Sequence, residues 1–167
     1  MHQRGPEHLP LLSYGCLKHS VTHPRIILVI EDNPGDIRLI KESLREFGDQ
    51  VDLQVVMDGD DALKYLNKQV PFDNAPRPNL IFLDLNLPKG TSKDVLRHIK
   101  DDRTFRNIPV AVLTSSDADR DVREAYELHA NCYLRKPVDL DTFMSTIRST
   151  VKFWMGVASI PADRSSL

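Results

Sequence analysis

The feature that most constrains the fold of this sequence is a regular alternation of short apolar runs with amphipathic segments. The runs are rich in branched aliphatic residues, which is typical of strands buried on both faces. These predicted strands span residues 25–30, 51–56, 80–83, 108–114 and 131–135. The predicted helices between and after them span residues 34–47, 58–69, 92–102, 117–129 and 139–155. The alternation predicts an α/β fold, a doubly wound five-stranded parallel sheet with five helices.

The order of the strands follows from the handedness of their connections. Right-handed crossovers leave few topologies, and five-stranded doubly wound sheets commonly have the order 2-1-3-4-5 that flavodoxins show. In that order the first and third strands are neighbours at the switch point. Ligands of such sheets bind there, outside the carboxyl ends of the strands.

The regular pattern sets the domain boundaries at residues 25–155. Residues 1–24 contain four of the six histidines, with no helical or strand period and no metal-ligand spacing. We expect this segment to be disordered or loosely packed. Residues 156–167 are short and polar, and we expect a flexible tail.

The composition argues against several classes of function. A balance of 22 basic and 24 acidic residues does not support a nucleic-acid surface. No apolar stretch approaches the roughly 18 residues that a membrane-spanning helix needs. Cys16 and Cys132 are too few for a disulfide framework or a zinc site, so we expect a reducing cytoplasm.

The residues at the ends of the strands indicate the chemistry. Glu31 and Asp32 follow the first strand, Asp84 ends the third, Thr114 ends the fourth, and Lys136 follows the fifth. The carboxyl ends of parallel strands meet at one edge of the sheet, so these side chains are predicted to converge. Clustered carboxylates repel one another, and Mg²⁺ with its oxygen ligands relieves the repulsion. A carboxylate beside such a metal can also attack phosphorus and form an aspartyl phosphate.

Each of these residues, taken alone, has an ordinary structural explanation. The run Glu31-Asp32-Asn33 could cap the first helix, Thr114 could be a turn residue, and Lys136 could be a solvated surface lysine. Asp84 is the hardest to explain in this way, because a buried carboxylate without a partner is costly. All of them at one edge favour a phosphoryl site, in which Mg²⁺, Lys136 and Thr114 each bind one phosphate oxygen.

With these motifs in place, residues 25–155 resemble a response-regulator receiver domain of two-component signalling. The motifs are EDN at 31–33, LDLNLP at 83–88, LTSS at 113–116 and KP at 136–137. The resemblance implies that Asp84 is the phosphoacceptor, that Asp32 binds Mg²⁺ directly, and that Glu31 acts mainly through a metal-bound water. It also implies that the backbone carbonyl of Asn86 binds Mg²⁺.

The same resemblance assigns the phosphate-binding and switch residues. Thr114 and Lys136 are expected to bind the phosphoryl group. The Lys136–Pro137 peptide is expected to be cis. Tyr133 matches the switch aromatic that moves inward when the threonine moves.

The sequence departs from the receiver pattern after the proline loop. Thr91 and Ser92 stand where receivers usually have an Asp-Gly pair. Serine resists backbone conformations that glycine tolerates, so the geometry of this loop is the open point of the resemblance. No metal or phosphate role falls on the pair, and we expect phosphorylation to be retained.

A narrower resemblance is to stand-alone regulators that partner phytochrome-type sensor histidine kinases. It is carried by residues 31–44, 70–79, 129–143 and the terminal Phe153 and Trp154. Only twelve residues follow Met155, so we expect no output domain, and the signal is then expected to leave through the receiver surface.

The final helix suggests a surface for that output. Its inward stripe is predicted to be Leu140, Phe143, Ile147, Val151 and Trp154. Phe153 and Met155 fall off the stripe and should be partly exposed, unless they fold back onto the tail. Clustered exposed apolar groups often mark a partner surface. We therefore predict a homodimer through the fourth helix, fifth strand and fifth helix, since a two-fold interface is self-complementary.

Three alternative functions remain at this stage. A haloacid-dehalogenase-type phosphatase also uses a strand-end aspartate and Mg²⁺, but it needs a second aspartate where Asn86 stands. A flavodoxin shares the sheet order, but no phosphate-binding loop rich in serine, threonine and glycine follows the first strand. A pseudo-receiver would have the same fold and act as a scaffold without phosphorylation.

Overall fold

The computed structural model describes residues 23–88, 91–116 and 118–161. The predicted N-terminal segment lies outside these residues except for its last two positions. The predicted tail is described only as far as residue 161. Within the described residues, no helix is both long and apolar enough to cross a membrane.

The five predicted strands form one parallel sheet in the predicted order, β2-β1-β3-β4-β5. The strands are β1 (Arg25–Ile30), β2 (Val51–Val56), β3 (Leu80–Asp84), β4 (Val110–Thr114) and β5 (Cys132–Arg135). Every residue of β3 and β4 is buried, as expected for central strands covered on both faces. The predicted fold class is therefore confirmed.

The helices follow the sequence pattern but are shorter than predicted at several ends. They are α1 (Pro34–Leu44), α2 (Gly59–Leu66), α3 (Ser92–Asp101), α4 (Asp119–Glu127) and α5 (Leu140–Lys152). The side chain of Asn33 caps α1 by accepting hydrogen bonds from the backbone N–H groups of Gly35 and Asp36. After α1 a 3₁₀ segment turns at Gly48, whose φ of 49° favours glycine.

Two apolar layers cover the sheet. One layer packs α1 and α5 against side chains such as Val29 and Phe82, and the other packs α2 and α3 against Ile30 and Leu83. Consecutive strand residues point to opposite faces, so each central strand contributes to both layers. This double burial leaves the strand ends as the place where polar side chains meet.

The prediction of the inward stripe of α5 is correct for the middle of the helix and wrong for its first residue. Phe143, Ile147 and Val151 are buried and Trp154 is half-buried, whereas Leu140 is 57% exposed. Leu140 is the first residue of α5 and lies on the same helical face as the stripe, but that end of the helix extends beyond the surface on which the helix packs. Continuous α-helix ends at Lys152, and a π-helical turn, Phe153–Val157, replaces its predicted last residues.

Candidate functional site

Three carboxylates meet at the carboxyl edge of the sheet. Glu31 and Asp32 follow β1, and Asp84 is the last residue of the neighbouring strand β3. The structure brings a carboxylate oxygen of each to within 4.8 Å of the others. Glu31 and Asp84 are buried and Asp32 is half-buried. The sequence-based expectation that these groups converge therefore holds in the folded chain.

The backbone holds the two buried carboxylates in place. The N–H of Asn33 donates to Glu31 Oε1 over 3.0 Å, and the N–H of Asn86 donates to Asp84 Oδ1 over 2.9 Å. Each carboxylate therefore has one oxygen fixed by a backbone donor and a second that faces the site. Such fixed geometry suits a metal ligand or a nucleophile, because little ordering is needed when the reaction begins.

Lys136 lies among these carboxylates and contacts a fourth. Its Nζ donates to Glu31 Oε2 at 2.6 Å and to Asp36 Oδ2 at 2.8 Å, and it lies 3.2 Å from Asp84 Oδ2. Asp36, in the first turn of α1, was not among the sequence-predicted site residues. Its signal was present in the sequence, because α1 begins at the sheet edge where β1 ends and its first-turn carboxylate therefore lies near that edge.

Burial and charge shift the ionisation of this group. Burial raises the pKa of Glu31 to about 7, and the hydrogen bonds from Lys136 and the Asn33 N–H only partly offset that rise. Burial works against the Lys136 ammonium, but its hydrogen bonds with Asp36 and Glu31 outweigh burial and raise the pKa of Lys136 above its usual value. The site thus holds one firmly protonated lysine beside four carboxylates.

This donor set fits a hard divalent cation. The three clustered carboxylates supply only oxygen ligands, and Mg²⁺ is bound in proteins by one or two carboxylates with waters and phosphate oxygens. Glu31, Asp32 and Asp84 are the residues that would hold it. A cation there would also offset the excess of negative charge around Lys136.

Thr114 lies beside this site, at the end of β4. It is fully buried, and its Oγ1 accepts a hydrogen bond from the backbone N–H of Ser116 over 3.0 Å. Its backbone carbonyl accepts from the N–H of Lys136 over 2.7 Å, which joins the two predicted phosphate-binding residues. The proton of the Thr114 hydroxyl is left to donate to an incoming acceptor.

Tyr133, on β5, contacts both the loop after β4 and the protein core. Its hydroxyl donates to the backbone carbonyl of Ser116 over 3.1 Å, and its ring packs against the core layer that contains α2 and α3. This ring is expected from the sequence to move inward when Thr114 moves, and that movement stays a prediction. Ser116 belongs to the LTSS motif of the sequence analysis but was given no role of its own there. The signal was its place two residues after Thr114 in the loop that follows β4.

The prediction of a cis Lys136–Pro137 peptide bond is wrong. Among the described residues, the cis peptide bond is Val70–Pro71. Trans is the lower-energy isomer of an X–Pro bond by about 0.5–1 kcal/mol, and Lys136 reaches its carboxylates with it.

The Thr91–Ser92 pair takes ordinary helical geometry. Thr91 occupies the N-cap position of α3 with φ of −74° and makes no capping hydrogen bond through its side chain, and Ser92 is the first residue of that helix. Buried Ser92 accepts a hydrogen bond from the N–H of Leu87 through its Oγ. Neither residue has a positive φ. The absence of glycine is therefore tolerated at this position.

Comparison with known proteins agrees with this geometry. The sequence-family model of the response regulator receiver domain matches residues 27–148 of this chain. The chain belongs to this family. Response regulators are signalling proteins that partner sensor histidine kinases, and the receiver described here has the family's five-stranded fold.

Three relatives illustrate the likeness. Response regulator Rcp1 of Synechocystis sp. is 41% identical to the receiver over 139 residues, which cover 83% of this chain and 95% of Rcp1. The crystal structure of Mn²⁺-bound Rcp1 matches with a TM-score of 0.78, over 83% of this chain and 100% of that one. The phosphorylated cyanobacterial phytochrome response regulator RcpA is 40% identical, with a TM-score of 0.80 over 83% of this chain and 99% of RcpA.

Family membership decides among the alternatives. The receiver match gives no support to the phosphatase or flavodoxin interpretations. The pseudo-receiver shares the family, so it is separated from a phosphorylated regulator by chemistry and not by fold.

Proposed function

We propose that this receiver accepts a phosphoryl group on Asp84 from a sensor histidine kinase, in a Mg²⁺-dependent reaction. The observation that carries the proposal is the cluster of Asp84 with Glu31, Asp32 and the Lys136 ammonium at the end of a buried strand. A carboxylate buried in such a place has a reaction partner or a ligand.

In the proposed transfer, an Asp84 carboxylate oxygen attacks the phosphorus of a kinase phosphohistidine. The new O–P bond forms as the P–N bond breaks, and the imidazole nitrogen keeps the electron pair and takes up a proton. Bound Mg²⁺ supplies neutralisation of charge on the phosphoryl oxygens. Lys136 binds one phosphoryl oxygen, and the Thr114 hydroxyl donates its free proton to another.

The test is labelling by a small phosphodonor with Mg²⁺, followed by intact-mass measurement. We expect the wild-type receiver to gain one phosphate that hydroxylamine removes, because an acyl phosphate is labile to that nucleophile. Asp84→Asn should remain folded and gain none, whereas Asp73→Asn, in the exposed loop after α2, should label normally. A wild-type chain that gains no phosphate would instead establish the pseudo-receiver interpretation.

We propose a phytochrome-type kinase as the phosphate donor. The likeness to Rcp1 and to the phytochrome response regulator RcpA supports this choice. Transfer from a panel of autophosphorylated sensor kinases would test it, with the phytochrome-type kinase expected to be the fastest. Equal or faster transfer from unrelated kinases would contradict it.

We propose further that the receiver signals through a homodimer formed by α4, β5 and α5. Tyr126 on α4 is 50% exposed, and Phe153 and Val157, in the π-helical turn that follows α5, are 49% and 76% exposed. Apolar area is therefore available on α4 and directly after α5. Met155 packs against the core and contributes less. The described part of the tail leaves Phe153 uncovered, which favours a partner over folding back.

The dimer can be tested by light scattering after gel filtration. We expect a dimer that Phe153→Asp converts to a monomer while phosphorylation persists. Val70→Asp, an exposed position in the loop after α2, should leave the dimer intact. A wild-type chain that stays monomeric at high micromolar concentration, with and without a phosphoryl analogue, would rule out this assembly.

A further inference from the structure

The Lys136 ammonium is shared unequally among three carboxylates. Its contacts to Glu31 and Asp36 are 2.6 and 2.8 Å, whereas its contact to Asp84 is 3.2 Å. A lysine ammonium has three protons and therefore three donor positions. The contact to the phosphoacceptor is the longest of the three, and the ammonium lies closer to Asp36 on α1.

We propose that Asp36 is a positioning residue, which holds the Lys136 ammonium toward α1 in the resting protein and limits its engagement with a phosphoryl group on Asp84. The inference rests on the proposed phosphoacceptor function. It assigns a role to a carboxylate outside the cluster that would hold Mg²⁺.

The burial of the three acceptors decides which contact yields when a phosphoryl oxygen arrives. The Glu31 side chain is 0% exposed, so loss of Lys136 would leave a buried carboxylate oxygen without its donor. The Asp36 side chain is 28% exposed, and water can replace the ammonium there. Asp36 is therefore the contact that Lys136 gives up at least cost.

The release of Asp36 nevertheless has a cost, which is subtracted from the binding of the phosphoryl group. A partly exposed ion pair contributes modestly, and its loss is offset in part by hydration. Removal of the Asp36 charge should then strengthen the contact of Lys136 with the phosphoryl group. The phosphorylated state should gain stability relative to the resting state.

A purely structural explanation of Asp36 is that an acidic residue in the first turn stabilises α1 through the helix dipole. Asp141 offers a matched control for this effect. It is the same residue type in the first turn of α5, and it is not among the carboxylates that Lys136 contacts.

The experiment measures the affinity of the full chain for beryllofluoride, a phosphoryl analogue, at saturating Mg²⁺. We expect Asp36→Asn to raise that affinity by about 1.5- to five-fold, the range expected for loss of one partly exposed ion pair. Asp36→Asn should also slow the loss of phosphate from Asp84 by a similar factor. Asp36→Glu, which keeps the carboxylate, should stay close to wild type, and Asp141→Asn should change neither quantity.

A second readout examines Lys136 directly in the metal-free protein. The side-chain ammonium resonance of Lys136 should shift in Asp36→Asn and remain in place in Asp141→Asn. Unchanged or weaker beryllofluoride binding by Asp36→Asn, or an equal gain in Asp141→Asn, would overturn the inference. If the wild type bound no beryllofluoride while the Lys136 resonance still shifted, the phosphoacceptor function would fail and the positioning of Lys136 by Asp36 would stand.

Discussion

The Tyr133 hydroxyl donates a hydrogen bond to the Ser116 carbonyl over 3.1 Å, which ties β5 to the loop after β4. Ser116 is also hydrogen-bonded to Thr114, because the Ser116 N–H donates to the threonine Oγ1. The predicted phosphate-binding threonine and the switch tyrosine therefore act on the same loop residue. A displacement of Thr114 toward a phosphoryl group would therefore alter the hydrogen bond between Tyr133 and Ser116.

Tyr133→Phe should weaken this connection without disturbing the core. We expect a loss of about 0.5–1.5 kcal/mol in the free energy of unfolding, the usual contribution of one intramolecular hydrogen bond. Beryllofluoride should change amide NMR shifts across α4, β5 and α5 in the wild type, and over a smaller area in the variant. Wild-type changes confined to the acidic pocket would contradict this coupling.

Two positions of the α5 stripe should respond differently to truncation. Ile147→Ala removes a fully buried side chain and should cost about 2–5 kcal/mol of unfolding free energy. Leu140→Ala removes a side chain that is 57% exposed and should change stability by less than about 1 kcal/mol. Urea unfolding of both variants measures the difference, and similar losses would mean that Leu140 is covered in solution.

Mg²⁺ should stabilise the folded chain through the three clustered carboxylates. At about ten times its dissociation constant, a ligand that binds only the folded state adds about 1.4 kcal/mol of stability. Asp32→Asn removes one carboxylate of the cluster and should abolish most of this gain, while it relieves repulsion in metal-free protein. Thermal unfolding with and without Mg²⁺ measures both effects. An unchanged Mg²⁺ response in Asp32→Asn would place the cation elsewhere.

Lys100 should make the free energy of unfolding depend on pH in the alkaline range. Its Nζ donates to the Ile108 carbonyl and to Asn131 Oδ1, both over 2.8 Å, and burial lowers the pKa of Lys100 to about 8. None of its acceptors carries a full charge, so they do not offset the cost of burial. The unfolded chain keeps the proton up to about pH 10.5, whereas the folded chain releases it above about pH 8. Between these values the unfolded state binds more protons, so stability rises with pH.

The measurement is the unfolding free energy of wild type minus that of Lys100→Met, at pH 7 and pH 9. We expect this difference to move in favour of the wild type as the pH rises. Lys41→Met, at an exposed position of α1, is the control and should show no such trend. A difference that is flat with pH would show that the folded protein keeps Lys100 protonated.

Local pattern was sufficient for the elements and for the identity of the acidic cluster. The period of the apolar residues distinguishes strands from helices, and alternation of the two implies a parallel sheet. In such a sheet the carboxyl ends of β1 and β3 are adjacent, so Glu31, Asp32 and Asp84 had to meet once the strand order was known. The sequence by itself therefore determined the fold class and the place of the site.

Only the tertiary structure decided which polar atoms contact each other at that place. Asp36 and Lys136 are separated by 100 residues, and their contact depends on the angle at which α1 leaves the sheet edge. The exposure of Leu140 and the bond between Tyr133 and Ser116 likewise depend on how elements distant in sequence are packed. Periodicity shows which side of an element is apolar, whereas a hydrogen bond needs donor and acceptor within about 3 Å, and only the packed chain sets that distance.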